Sequence, residues 1–310
     1  MRVFLCGHEL GLGFVIARRL VKQGHTLNVL TSFPNLIPNL TKNGLSPILG
    51  KITDDGPQRL LAKADAVIDT EFPSTFPKKR VRIEQLRPSL LKRAFDFSGR
   101  VLIVTSHAAV LGDTGPIPAT DEATPHPMRG FGWALRLEEE MSHPSKSRAL
   151  IIRPAWRIHG RGQSLGIEVL NNWIPLSWRF KRGTYIGPGR NCFSAVHLED
   201  LAELYCLVLE RARNARVIHA ASENISTKEV AASIHRAMRF KGDPKSISLD
   251  EARQLTPIAG GLTKSHAVSS DYAKAKLGWT PSRDSMLRAI EDESAVYAMS
   301  KRRKVPAPTG

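Results

Sequence analysis

Residues 1–25 read MRVFLCGHELGLGFVIARRLVKQGH, and this stretch decides the fold. The apolar run Val3–Cys6 predicts a buried strand, which leads into a loop with glycines at positions 7, 11 and 13. An amphipathic helix is predicted over Phe14–Gln23, stopping at Gly24. A strand, a glycine loop and a helix in this order present backbone N–H groups and a helix N-terminus to a phosphate. The stretch therefore predicts the first unit of a dinucleotide-binding, Rossmann-type fold.

The same alternation of apolar runs and helical periodicity continues through the first half of the chain. Further strands are predicted at Thr26–Leu30, Ser46–Leu49, Ala66–Asp69, Val101–Thr105 and Ala149–Arg153. Helices between them are predicted at Gln58–Ala64, Ile83–Phe97 and Phe131–Met141. Strands that alternate with helices in this way are typical of an α/β fold with a doubly wound parallel sheet.

The rhythm changes after about residue 155, where glycine- and proline-containing connections separate shorter elements. Three helices are predicted in this part, at Leu198–Ala212, Ser226–Met238 and Arg283–Ala298. We therefore expect a Rossmann core over 1–155 and a smaller substrate-side lobe over 156–300 that is interleaved with it. A basic tail is expected over 301–310.

The composition indicates a basic protein, with 45 Lys and Arg against 29 Asp and Glu and a formal net charge of +16. Short basic clusters lie at Lys78–Arg82, Arg179–Arg182 and Lys301–Lys304, so an acidic protein or a nucleic acid is one possible partner. Three cysteines without a CxxC pair favour a reducing, cytoplasmic compartment. No segment has the length of a membrane span, and no histidine, cysteine or acidic spacing predicts a metal site.

Several segments, in their order, resemble an extended, atypical short-chain dehydrogenase/reductase of the NAD-dependent epimerase/dehydratase family. They are the opening unit, ADAVIDT (64–70), VLIVTSHAAVLGDTGPIPATDEATPHP (101–127), LIIRPAWRIHGRG (150–162), NCFSAVHLEDLAELYCLVLERA (191–212) and LGWTP (277–281). The resemblance implies a nicotinamide cofactor and a small-molecule substrate. It also implies a homodimer, formed by the helices at Ile83–Phe97 and Phe131–Met141.

The resemblance assigns the cofactor to four places in the chain. These are the glycine loop (Gly7, Gly11, Leu12, Gly13), the end of the second strand (Thr31, Ser32), the turn after the third strand (Lys51, Ile52) and the end of the fourth strand (Thr70). The chain departs from the family pattern at three of them. In the glycine loop Leu10 replaces the middle glycine and Glu9 adds a carboxylate, Thr31 and Ser32 end the second strand without the usual acid, and Lys51 stands where an aspartate usually bonds adenine. Because no acid follows the second strand, NADP, NAD or no cofactor at all remain open.

The catalytic positions depart further from the family pattern. Alignment of HAAVLG (107–112) puts His107 at the position of the substrate-orienting serine or threonine. Alignment of GFGWALRLEEE (130–140) puts Phe131 and Leu135 at the tyrosine and lysine of YxxxK, and a shift of one residue restores neither. His107 is the candidate replacement for the missing acid/base. Tyr185 and the pair His159 and Arg161 lie on predicted loops that could approach the cleft.

Two hypotheses follow from these residues. The first is an NAD(P)-binding oxidoreductase or epimerase-like protein that acts on a small, sugar-like substrate without YxxxK chemistry. The second is a catalytically silent Rossmann-fold scaffold or regulatory subunit, whose basic surface binds an acidic protein or a nucleic acid.

Overall fold

The computed structural model describes residues 1–7, 11–71, 91, 100–128, 130–142, 148–160, 172–213, 217–256 and 259–303. Its strands are β1 (Arg2–Cys6), β2 (Thr26–Thr31), β3 (Ser46–Leu49), β4 (Ala66–Asp69), β5 (Val101–Thr105), β6 (Arg148–Pro154), β7 (Arg157–His159), β8 (Thr184–Ile186), β9 (Cys192–His197), β10 (Val217–Ala220), β11 (Glu223–Ser226) and β12 (Lys245–Ile247). Its α-helices are α1 (Leu12–Lys22), α2 (Ile37–Lys42), α3 (Asp55–Ala62), α4 (Gly132–Ser142), α5 (Ile174–Phe180), α6 (Leu198–Arg211), α7 (Thr227–Met238), α8 (Leu249–Arg253), α9 (Asp271–Leu277) and α10 (Met286–Arg303).

The described strands form a parallel sheet in the order β10-β6-β5-β4-β1-β2-β3. The order reverses between β1 and β4, as it does in doubly wound α/β folds. Central strands such as β4 and β5 are buried along their whole length, because helices cover both faces of the sheet. The predicted fold class is confirmed.

A second apolar cluster lies in the later part of the chain, away from the clusters that cover the sheet. It packs α5, α7 and α10 around side chains such as Trp173, Phe193 and Ile234. In this region β9 pairs with β7 and β11, and β8 pairs with β12. Strand β10 returns to the main sheet, where it pairs with β6. The two parts are therefore interleaved, and the boundaries at 155 and 300 stay a prediction.

Two of the motifs that carry the resemblance are joined by hydrogen bonds. His197 caps α6 by accepting from the Glu199 N–H at 3.1 Å. The carbonyl oxygen of Asp200 accepts from the Trp279 indole at 2.9 Å, and its buried carboxylate accepts from the Ser282 N–H at 3.2 Å. The helix entry at 197–200 and the LGWTP segment are thus parts of one buried contact.

Helix bounds differ from the sequence-based ones mainly at the C-terminus. Helix α10 runs to Arg303, beyond the predicted end at Ala298, so it takes in the first residues of the expected tail. Lys301 lies over the ring of Tyr297, one turn earlier, and cations suit the last turn of a helix. The helix predicted at Ile83–Phe97, and with it the dimer interface, falls outside the described residues apart from Leu91. No helix in the described ranges is long and apolar enough to cross a membrane.

Candidate active site

The candidate site lies at the carboxyl edge of the sheet, beside the neighbouring strands β1 and β4, where the strand order reverses. Parallel strands deliver the segments that follow them to one edge, and ligands of open α/β sheets bind in the crevice at the point where the strand order reverses. The expected cofactor residues follow β1, β2, β3 and β4, and His107 follows β5. The fold therefore brings all of these candidates to a single edge.

Two positions on either side of the turn between β1 and α1, Gly7 and Gly13, have space for glycine only. Gly7 has a φ of +82°, and a Cβ placed on it would lie 2.6 Å from the Glu71 nitrogen. A Cβ on Gly13 would lie 2.4 Å from the Gly7 oxygen. The second contact is the close approach of helix and strand for which the Rossmann fingerprint reserves its last glycine. Gly7 and Gly13 therefore occupy fingerprint positions, although the middle glycine has moved to position 11.

The N-terminus of α1 has no side-chain cap among the described residues. The helix begins at Leu12, two residues before its predicted start, and Gly11 precedes it without a side-chain cap. Its first turn contains no acidic residue. The first N–H groups of a helix have no partners within the helix, and they carry the positive end of its dipole. Gly11, Leu12 and Gly13 therefore present backbone donors at the sheet edge.

The residues after β2 and β3 lie against each other. The Gly50 N–H donates to the Thr31 oxygen at 2.9 Å, and the Ser32 hydroxyl lies 3.4 Å from the Gly50 oxygen. Ser32 and Lys51 are exposed, whereas Thr31 and Ile52 are buried. This corner thus combines the exposed hydroxyl of Ser32 and the exposed ammonium of Lys51 with the buried apolar side chain of Ile52.

Thr70 ties the end of β4 to the glycine turn. Its hydroxyl lies 3.0 Å from the Cys6 oxygen and 2.9 Å from the Gly7 oxygen. The side chain is fully buried, so it holds the turn from behind. Thr70 is placed to support a cofactor site through Gly7.

His107 lies directly after β5 and caps a 3-10 helix at Ala108–Leu111. The Ala109 N–H donates to its Nδ1 at 3.0 Å, so the proton of the neutral ring is on Nε2. Burial, reinforced by the positive charge of Arg157, lowers the pKa of His107 to about 3. The imidazole is therefore a neutral hydrogen-bond donor at physiological pH. A base with so low a pKa is a weak proton acceptor, and an acid/base role for His107 stays a prediction.

Three aromatic side chains beside His107 form what we call the substrate-side wall: Phe131, Trp156 and His266. Its ring centroid lies 4.9 Å from that of Phe131 and 5.7 Å from that of Trp156. Trp156 stacks on His266 with centroids 4.1 Å apart and planes 12° apart, and the Arg157 guanidinium lies 4.9 Å from the Trp156 ring centroid. The closeness of Phe131 to His107 fits the alignment that puts it at the catalytic tyrosine. Phenylalanine has no proton to transfer.

A buried polar network anchors the segment that carries His107. The Ser106 hydroxyl donates to the Glu138 carboxylate on α4, and Arg153 on β6 donates to both oxygens of that carboxylate, at 2.8 and 2.6 Å. The Arg153 guanidinium also lies 3.2 Å from Nε2 of His219, so that nitrogen accepts and Nδ1 donates to the Ser269 oxygen. Burial and the charge of Arg153 lower the pKa of His219 to about 3. The network therefore requires a neutral His219.

Other candidates lie elsewhere in the described structure. His159 packs edge-on against His197 with centroids 5.2 Å apart, and burial lowers its pKa to about 4. Tyr185, on β8, faces Gly189, where an added Cβ would lie 2.5 Å from its ring. Arg161, the loop neighbour of His159, falls outside the described residues. No group of three or more histidine, cysteine or acidic side chains in the described ranges could hold a metal ion.

The sequence reading missed the substrate-side wall and the buried network. Trp156 and His266 are 110 residues apart in the chain, and no spacing rule links them. The run Glu138–Glu140 looks like an exposed helix face, yet Glu138 is only 5% exposed. Glu138 lies four residues after Ala134 and three before Met141, so it shares the buried face of α4, and this spacing was the signal available in the sequence.

Similar proteins extend over nearly the whole chain. An uncharacterised protein of Schizosaccharomyces pombe is 28% identical over 301 residues, which cover 95% of this chain and 99% of the relative. No protein-family model matches the sequence.

Solved structures of epimerases and a dehydratase share the fold. A UDP-glucose 4-epimerase of Thermotoga maritima with UDP-glucose has a TM-score of 0.70 and 17% identity, covering 98% of this chain and 100% of the other. A human epimerase family protein with NADPH has a TM-score of 0.65 and 17% identity, covering 95% and 99%. A dTDP-glucose 4,6-dehydratase of Bacillus anthracis with NAD has a TM-score of 0.68 and 13% identity, covering 97% and 98%. The resemblance is confirmed, and the chain has the fold of the NAD-dependent epimerase/dehydratase group of short-chain dehydrogenase/reductases.

Proposed function

We propose that the protein is an NAD(P)-binding oxidoreductase or epimerase-like enzyme that acts on a small substrate without a tyrosine acid/base. One observation carries the proposal: Gly7 and Gly13, between β1 and α1, leave no room for a Cβ, as the phosphate-binding glycines of a Rossmann fold do. Gly13 lies so close to the Gly7 oxygen that a Cβ on it would collide with that oxygen, and among the described residues no side chain caps the N-terminus of α1. These residues fit a pyrophosphate.

The adenosine end of the cofactor would lie at the corner formed by Thr31, Ser32, Lys51 and Ile52. Ile52 offers an apolar floor for adenine, and Ser32 and Lys51 offer a hydroxyl and a cation at the ribose. A lysine cannot accept a hydrogen bond, but it attracts phosphate strongly. The corner therefore favours a ribose with a 2′-phosphate, and we propose NADP ahead of NAD.

His107 would orient the substrate by donating from Nε2 to the oxygen at the reacting carbon. A nicotinamide held at this edge of the sheet would supply or accept a hydride at that carbon. Phe131 has no exchangeable proton and His107 is neutral, so water would have to take the proton from the substrate oxygen or donate it. Omission of a positioned acid/base usually costs a factor of about 10² to 10⁴ in rate, so turnover should be slow.

The substrate-side wall suggests the kind of molecule that would fit. Phe131 and Trp156 offer apolar ring surface, and Arg157 adds a positive charge near His107. A small hydroxy or carbonyl compound with an apolar face and a polar or anionic group, which includes sugar-like compounds, matches these features. The epimerase and dehydratase structures of the same fold, solved with UDP-glucose or NAD, support this substrate class.

Titration of NADH and NADPH, followed by nicotinamide fluorescence, tests the cofactor site. We expect saturable binding that Gly13→Ala abolishes, because the new Cβ collides with the Gly7 oxygen. The matched control is Gly56→Ala, since a Cβ at Gly56 would have no atom within 4 Å. Thermal unfolding of both variants separates loss of the site from loss of the fold. Absence of binding of either nucleotide at millimolar concentration overturns the proposal, as does normal binding by the Gly13→Ala variant.

A further inference from the structure

Three helices of the later part of the chain end on one face of the molecule. The indole of Trp178 near the end of α5 lies 6.1 Å from the ring of Phe240, which follows α7. It lies 6.2 Å from the ring of Tyr297 near the end of α10. The fold thereby brings together two basic clusters of the sequence, Arg179–Arg182 and the start of Lys301–Lys304, which are more than a hundred residues apart.

Cations cover these rings. The Lys181 ammonium lies 3.7 Å from the Trp178 ring centroid, and the Lys301 ammonium lies 5.2 Å from that of Tyr297. Arg182 reaches the turn after α7, where a Cβ on Gly242 would lie 3.2 Å from its Nη2. With two exposed residues of that turn these cations form what we call the basic face: Lys181, Arg182, Arg239, Lys241 and Lys301. None of the five has a carboxylate of the described residues within 4.0 Å, although Arg236 nearby pairs with Glu291.

Two cations of the basic face occupy backbone positions that favour glycine. Lys181 and Arg239 end α5 and α7 with φ of 52° and 55°, and no other non-glycine residue in the described ranges has a positive φ. Glycine serves at the left-handed ends of α1, α2 and α9, where Gly24, Gly44 and Gly278 have φ between 71° and 85°.

A left-handed lysine or arginine is strained, and such strain persists only where the surrounding structure imposes it and clusters at functional sites. The dipole of a helix favours a cation near its C-terminus, but it acts equally on cations with ordinary right-handed φ in the last turn. The dipole therefore does not explain why these two positions lack glycine.

We propose that the basic face binds the phosphate backbone of a nucleic acid. A nucleic acid is a continuous polyanion, and it needs only unpaired cations held at a fixed spacing. The aromatic rings of this face pack against one another and are half-buried, and lysines lie over the rings of Trp178 and Tyr297, so they offer little surface for base stacking. For the same reason these rings are poorly placed for insertion below lipid headgroups. Binding should therefore be independent of sequence and depend steeply on salt.

Fluorescence anisotropy of short dye-labelled DNA and RNA duplexes, measured over a series of salt concentrations, tests the proposal. The informative variant is Lys181→Gly with Arg239→Gly, which removes two cations and also relieves the left-handed strain. If each cation meets one phosphate, affinity should fall about 30-fold at physiological salt, and the salt slope should shrink by about 1.8. The melting temperature should stay at or above the wild-type value.

The matched control is Lys42→Gln with Lys63→Gln, which removes the same charge from exposed positions at the ends of α2 and α3. It should keep nearly full affinity. If the glycine variant proves unstable, Arg182→Gln with Lys241→Gln tests the same face without changing a left-handed residue. Equal affinity of variant and wild type overturns the proposal, as does an equal loss in the control. Tighter binding to phosphatidylserine vesicles or to polyglutamate than to the duplexes would overturn the choice of partner.

Discussion

Lowering the pH from 8 to 5 is expected to destabilise the protein strongly, because the folded protein holds several buried histidines in their neutral form. Burial lowers the pKa of His107 and His219 to about 3 and that of His159 to about 4, from 6.5. Between the folded and the unfolded pKa, the unfolded chain binds more protons than the folded chain. Stability should therefore be fully present above pH 6.5 and should fall as the pH drops below that value.

The size of the effect follows from the shifts. At pH 5 an unfolded histidine is almost fully protonated, whereas each of these three stays mostly neutral in the folded protein. With about 1.4 kcal/mol for each pH unit below 6.5, every histidine costs about 2 kcal/mol at pH 5, or about 6 kcal/mol for the three. His197 and His266 also have lowered pKa values and act in the same direction. The raised pKa of Asp121 acts in the opposite direction, in the acidic range of carboxylates.

Urea unfolding followed by tryptophan fluorescence between pH 5 and pH 8 measures this loss. His219→Gln is the sharpest variant, since the Arg153 guanidinium 3.2 Å from Nε2 opposes a second proton on that ring. It should remove about a third of the pH dependence, whatever its effect on stability at pH 8. His126→Gln, at an exposed histidine, is the control and should keep all of it. A total loss below about 2 kcal/mol by pH 5, or full pH dependence in His219→Gln, would refute the reasoning.

Three further substitutions test the site. Glu138→Gln leaves the buried Arg153 uncompensated and should lower the free energy of unfolding by about 3–5 kcal/mol, against little change for the exposed Glu139→Gln, as measured by urea unfolding. Lys51→Ala should weaken the binding of NADPH about tenfold and that of NADH little, because it removes one charge-assisted contact with the 2′-phosphate. If the affinity of the variant for each nucleotide equals that of the wild type, Lys51 lies outside the site. Phe131→Tyr should raise kcat by up to about 10²-fold with an accepted substrate, and an unchanged kcat would show that the phenol does not reach the reacting oxygen.

The sequence predicted the sheet well because its strands are buried on both faces. Such strands read as uninterrupted apolar runs, and the predicted bounds of β4 and β5 match the structure residue for residue, as do those of the partly exposed edge strand β3. The ends of helices were harder to predict, since caps and side-chain contacts decide them. Helix α1 starts at Leu12 because Gly11 takes the cap position, and α10 continues past Ala298 with Lys301 on the ring of Tyr297.

The candidate site was predictable in place but not in chemistry. A motif can put His107 at a strand end, but the state of its ring depends on the Ala109 N–H and on burial by partners far away in the chain. Left-handed Lys181 and Arg239 contradict the local preference for glycine, so no propensity rule would have found them. Rules based on local sequence fail at positions where the folded structure imposes a backbone conformation that the residue itself disfavours.

The state of His107 also restricts the pH dependence that any activity can have. Its Nδ1 is occupied by a backbone N–H, and its pKa of about 3 lies far below the range in which an enzyme of neutral pH works. A bell-shaped profile reports groups that gain or lose protons in the working range. His107 is not such a group, and the side chain of Phe131 has no exchangeable proton. The rate of the chemical step should therefore show no inflection from His107 between pH 6 and pH 8, and one that vanished in a His107→Gln variant would contradict the neutral-donor role.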